Sequence, residues 1–103
     1  MSANPYQEEA ATRVAEICYD KADYACALEG FYRMHALAST RENTTVARLG
    51  ILRCSQALGR HQAAIDIADQ ILSDTPVSEE TKAEALYGRA KAYVAMNKWS
   101  KAT

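Results

Sequence analysis

Apolar residues along this chain recur every three or four positions, the spacing that gathers them on one side of an α-helix. Ala11, Val14, Ala15 and Cys18 form the first such stripe. It is opened by Asn4-Pro5-Tyr6-Gln7, where Asn4 can cap, Pro5 suits the first helical position and Gln7 can reach back. A helix to about Lys21 is therefore expected. Asp23 can cap a second helix, with Ala27, Leu28, Phe31 and Met34 on its apolar side, ending near Ala38. Ser39 to Thr45 is polar and reads as a loop. A third helix carries Ala47, Ile51, Leu52 and Leu58 and stops at Gly59. A fourth carries Ala64, Ile65, Ala68, Ile71 and Leu72 and ends before Asp74-Thr75-Pro76. Ser78 opens a fifth, with Glu79 and Glu80 favourably placed in its first turn, continuing through Leu86, Ala90, Tyr93 and Val94 to about Met96. Asn97-Lys98 reads as a turn, and Trp99 begins a sixth helix that ends with the sequence after barely one turn. No segment alternates with period two between turn residues, so no strand is expected.

Six helices joined by short turns fit either a bundle or a solenoid, and internal repetition decides between them. At an offset of 38, Ala47-Arg48-Leu49-Gly50 lies over Ala85-Leu86-Tyr87-Gly88, and Leu58 to Ala64 lies over Met96 to Ala102. At an offset of 37, Tyr24, Ala27, Leu28, Phe31 and Met34 lie over His61, Ala64, Ile65, Ala68 and Ile71. Three helix–turn–helix units emerge.

The pattern resembles the tetratricopeptide repeat, with units at residues 8–41, 45–78 and, incomplete, 83–103. In that register the small packing residue of the first helix is Ala15, Leu52 and Ala90, with Leu52 departing from the family's preference. The turn residue is Ala22, Gly59 and Asn97, and the aromatic position after it holds Tyr24, His61 and Trp99. The small residue of the second helix is Ala27, Ala64 and Ala102, and Pro76 stands where the family closes its unit. The resemblance implies an all-α, right-handed superhelix of about two and a half units in a single domain over residues 1–103, cut from a longer array. The long unit spacing is similar to that of bacterial envelope proteins of the Tol–Pal and outer-membrane assembly kind, which favours a periplasmic or envelope location, with the cytoplasm as the alternative.

Twelve Lys and Arg against thirteen Asp and Glu leave a net charge of −1, and neither half of the chain is strongly charged, so a nucleic-acid footprint is not expected. No stretch approaches the ~18 apolar residues of a membrane span. Twenty alanines against four glycines and two prolines favour closely approaching helices. Cys18, Cys26 and Cys54 are too few for a disulfide framework and contain no CxxC, so three free thiols are expected. Gly50 and Gly88 stand at the same place in two units, where they let helices approach. His35 and His61 belong to different helices and to no catalytic motif, with His61 in a packing position and His35 on the surface. Asp20, Asp23, Glu79 and Glu80 sit at helix ends, where caps and dipole partners are the simpler reading. No catalytic residue, metal site or cofactor is expected.

Function is expected to reside in a surface. In repeats of this kind the first helices line a concave groove that takes an extended or helical peptide. Among the positions that map there, Tyr19, Leu49, Arg53, Tyr87 and Lys91 mix aromatic, aliphatic and cationic types, and exposed Tyr and Arg are common binding anchors. The family's chaperone-type carboxylate clamp is excluded, because its positions hold Thr12, Glu16, Gly50, Glu84 and Gly88. The expected function is thus a non-enzymatic protein-interaction scaffold in a larger bacterial repeat protein. The alternative is a structural spacer or self-association segment without a peptide ligand. Self-association through the exposed C-terminal helices, or else fraying there, is expected, because Ala90, Tyr93, Val94 and Trp99 lack an intramolecular cover.

Overall fold

The computed structural model describes residues 5–74 and 76–102, with side chains through Asn97. Five helices follow one another: α1 (Pro5–Asp20), α2 (Tyr24–Leu37), α3 (Arg41–Ala57), α4 (His61–Ser73) and α5 (Glu79–Ala102), with no strand among the described residues. Asn4, expected to cap α1, and the side chains of Trp99 and Ala102, expected to pack, lie outside the described residues. Each helix packs on the next in sequence, and α3 also touches α5. The result is an elongated stack of about 47 × 31 × 24 Å.

The turns after α1 and after α3 obey one rule. After α1, the N–H of Ala22 donates to the Tyr19 carbonyl and that of Asp23 to the Cys18 carbonyl, both at 2.9 Å. After α3, the N–H of Gly59 donates to the Gln56 carbonyl at 3.1 Å and that of Arg60 to the Ser55 carbonyl at 2.8 Å. This is the same Schellman closure twice, with Ala22 (φ 60°) and Gly59 (φ 71°) as the left-handed residues. Asp23 then caps α2, its Oδ1 accepting from the Cys26 N–H at 3.3 Å. At α5 the Ser78 hydroxyl accepts from the Thr81 N–H at 3.1 Å.

Four expectations are corrected. The polar stretch after α2 is not a loop to Thr45: Thr40 caps α3 by accepting from the Asn43 N–H at 3.1 Å, so the helix begins at Arg41 with a solvated first turn. No turn forms at Asn97-Lys98 and no sixth helix begins at Trp99, because α5 runs unbroken to Ala102. There, no glycine takes the left-handed position and no acidic cap follows, so the helix continues. Val14 is half exposed rather than in the core, and Ala90, placed by the repeat register at a helix contact, is exposed. Finally, Cys18 and Cys26 form a disulfide across the α1–α2 turn, with Cα atoms 5.7 Å apart, and only Cys54 is free, buried in α3. The two cysteines stand four residues before and four after Ala22, so the hairpin brings them face to face. In the second hairpin the corresponding positions are Ser55 and Ala63, and the turn residue is Gly59, which takes a positive φ without the strain an alanine bears.

Small residues fill the helix contacts of the first two hairpins. Ala15, Ala27 and Ala64 are at most 1% exposed, and Leu52, the odd large residue in that series, is wholly buried. Phe31 and Ala68 are both enclosed, as are Met34 and Ile71. Close approach is set by glycine. A Cβ on Gly30 would stand 2.8 Å from the Cα of Ala15, and one on Gly50 would run into the Phe31 ring.

Candidate binding face

The five candidate anchors fall on α1, α3 and α5 but differ in freedom. Tyr19 closes α1 half-buried, its ring edge-on to Tyr24 (centroids 5.7 Å apart) and to Phe31 (6.2 Å). Leu49 is also half-buried and packs on the core. Both therefore form the floor of the face. Arg53 is exposed and clasps Glu84 of α5 through Nε and Nη2, at 2.6 and 2.8 Å. The two parallel hydrogen bonds to Glu84 raise the guanidinium pKa further, outweighing partial burial, with a smaller contribution from the nearby Tyr19. Tyr87 is 66% exposed, and Lys91 one turn later places its ammonium 5.4 Å from the ring centroid. The structure thus unites Tyr19, Arg53 and Glu84 across the three helices, and sets Tyr87 with Lys91 beside them on α5. Glu9, Glu16 and Asp20 are exposed on α1, so carboxylates dominate its end of the face.

Several polar contacts that fix these helices are absent from the sequence reading. Glu8, on α1, is 7% exposed and accepts from the Ser39 N–H (3.1 Å), the Ser39 hydroxyl (2.8 Å) and the Asn43 amide (2.7 Å). These bonds, the one from Asn43 foremost, hold its pKa below the ordinary glutamate range against the opposing effect of desolvation. Glu8 thereby ties α1 to the segment entering α3. Arg48 donates from Nε to His35 Nε2 at 3.2 Å and from Nη1 to Asp74 at 2.9 Å, joining α2, α3 and the end of α4. Burial, then the Arg48 charge, lowers the His35 pKa, so this side chain is a neutral acceptor partly enclosed between helices rather than a free surface group. Arg89 of α5 reaches Asp69 of α4 at 2.8 Å. Nothing in local spacing reveals these pairs, since Glu8 meets partners 31 and 35 residues away.

A concavity of about 940 Å³ lies between α1 and α2, lined by Ala10, Val14, Cys26, Tyr32 and Leu37 together with Glu29 and Arg33. Among the described residues no group of three His, Cys, Asp or Glu could hold a metal ion, and no helix is long and apolar enough to cross a membrane. No protein-family model, curated protein or solved structure matches the chain.

Proposed function

We propose that this chain is a non-enzymatic interaction scaffold of tetratricopeptide-like units, part of a larger bacterial repeat protein, that takes a partner peptide or helix across the face formed by α1, α3 and α5. Its architecture in this reading is a right-handed superhelix. The repeat reading is supported by the two identical Schellman turns 37 residues apart and by the matching buried positions on either side of them. The observation that carries the binding reading is the row formed by Arg53 with Glu84, then Tyr87 with Lys91. It places an exposed aromatic ring and two cations beside the apolar floor of Tyr19 and Leu49. A peptide laid there gains aromatic contact at Tyr87 and charge pairing at Lys91, while the acidic end on α1 favours a basic residue at its other end.

The Cys18–Cys26 bond supports an oxidising location such as the periplasm or cell envelope. A spacer without ligand is the second reading, favoured by the engagement of Arg53 with Glu84, which leaves fewer free groups on the face. Screening a displayed peptide library against the chain separates the two. The scaffold reading expects selected sequences whose binding weakens at least fivefold, about 1 kcal/mol, on Tyr87→Ala or Lys91→Ala. Selection of nothing, or of peptides indifferent to Tyr19, Leu49, Arg53, Tyr87 and Lys91 alike, leaves the spacer.

A further inference from the structure

The last helix is apolar on two sides. Thr81, Ala85, Gly88 and Ala92 face α3 and α4 and are buried. On the other side Ala83, Leu86, Ala90, Tyr93 and Val94 recur at intervals of three and four and all face solvent. Leu86 is 42% exposed, Tyr93 50% and Val94 56%, with Tyr87 at the edge of the stripe. A helix with apolar residues around its circumference belongs inside a larger assembly. The internal repeat shows how such a side is covered. The positions 38 residues earlier on α3 include Leu52 and Ser55, both fully buried, and Leu52 reaches the backbone of α5 at Gly88. What neighbouring helices enclose on α3 is open on α5.

We infer that a second copy of the chain covers this stripe, α5 against α5, antiparallel about a two-fold axis at Ala90. The stripe is complementary to itself in that arrangement. Residues equidistant from Ala90 face each other, so Leu86 meets Val94 of the partner copy, Tyr87 meets Tyr93 of the partner copy, and Ala90 meets its own equivalent. A small residue at the crossing lets the axes come within the ~8 Å of tight helix packing. The exposed side chains present on the order of 500 Å² per copy, so the pair removes on the order of 1,000 Å² from water, the threshold for a specific interface. The flanking cations do not oppose it: Arg89 is held by Asp69, and Lys91 lies over Tyr87. A contact of one patch with itself closes on two copies and grows no further. The α1–α2 groove has no comparable stripe, since Glu29 and Arg33 interrupt its apolar residues.

Sedimentation of the whole chain over roughly 5–500 μM tests the inference in the range where interfaces of this size dissociate. A monomer–dimer equilibrium with no larger species is expected. Tyr93→Glu should raise the dissociation constant at least ~10-fold with the helical circular-dichroism spectrum unchanged, and Val14→Asp on the α1–α2 side should leave it unaltered. Under mild oxidation Ala90→Cys should cross-link two copies and Ala83→Cys should not, because only a residue on the axis meets itself; the native cysteines are paired or buried. A monomer at every concentration, open-ended oligomers, dissociation by Val14→Asp alone, or preferential cross-linking at Ala83 would each overturn it.

Discussion

Replacing each buried helical glycine by alanine separates helix propensity from helix approach. In an exposed helix the change stabilises by about 0.8–1.0 kcal/mol. Gly30 in α2 faces the backbone of α1: an added Cβ would lie 2.8 Å from the Cα of Ala15 and 2.9 Å from its nitrogen, where ordinary contacts need ~3.5–4.0 Å. Backbone cannot rotate away, so α1 and α2 must separate along their whole contact. A net loss of roughly 2 kcal/mol or more is expected after the propensity gain is subtracted. At Gly50 the obstacle is the Phe31 ring, with Cγ and Cδ2 at 2.5 and 2.6 Å. That ring is 6% exposed and wedged edge-on against Tyr19, so it can give only by displacing its neighbours. A net cost of about 1–2 kcal/mol follows. Gly88 differs, for its nearest neighbour is the amide nitrogen of half-buried Gln56 at 2.5 Å, the far end of a flexible chain. Once Gln56 swings aside, the remaining contacts are Leu52 Cδ1 and Cδ2 at 3.0 and 3.2 Å, and the net change should lie within about 0.5 kcal/mol of zero. Thermal and urea unfolding read by circular dichroism should rank the variants Gly30→Ala, Gly50→Ala, Gly88→Ala from least to most stable. At about 4–8 °C per kcal/mol, the first two are well resolved from the third. Stabilisation of all three by about 1 kcal/mol, as in exposed helices, would refute the close approach of α1 to α2 and of α2 to α3.

Two further outcomes are expected. Because the folded pKa of Glu8 lies below its unfolded value, its anionic form adds stability above the ordinary glutamate pKa, and that contribution fades as pH falls through the folded pKa. Wild type should therefore exceed Glu8→Gln in urea resistance at neutral pH, with the gap narrowing as pH falls below the ordinary glutamate range; a gap independent of pH would count against the anchor. Denatured, non-reduced chain should show one titratable thiol, and the paired Cys18→Ser, Cys26→Ser variant should lose about 2.5 kcal/mol from freeing a loop of eight-residue separation; three thiols, or no loss, would remove the α1–α2 clasp.

Much of the architecture is written in local spacing. The helical phase of Ala27, Leu28, Phe31 and Met34, the cap at Asp23 and the stop at Gly59 depend on residues within about two helical turns of one another, and each appears in the structure as expected. The buried alanines Ala15 and Ala64 were legible for the same reason, through their recurrence. The start of α3 was not, because polar residues there are held by the Thr40 cap and by Glu8 from another helix. The symmetry of Cys18 and Cys26 about Ala22 was a usable signal, but it acquires meaning only once the turn is placed at that residue. Of the candidate face, Tyr87 and Lys91 could be paired from their spacing of one turn. That Arg53 meets Glu84 required the packing of α3 on α5, 31 residues apart at that ion pair, and that Tyr19 sinks into the floor required the packing of α1 on α2. The end of α5 lies in between. The sequence placed a turn at Asn97 by analogy with Ala22 and Gly59, yet a turn needs a reason to stop the helix, and neither a glycine nor an acidic cap stands in the sequence there. Sequence determines where helices can form and which sides are apolar; which of those sides meet, and which remain open as on α5, is decided by contacts between residues far apart in the chain.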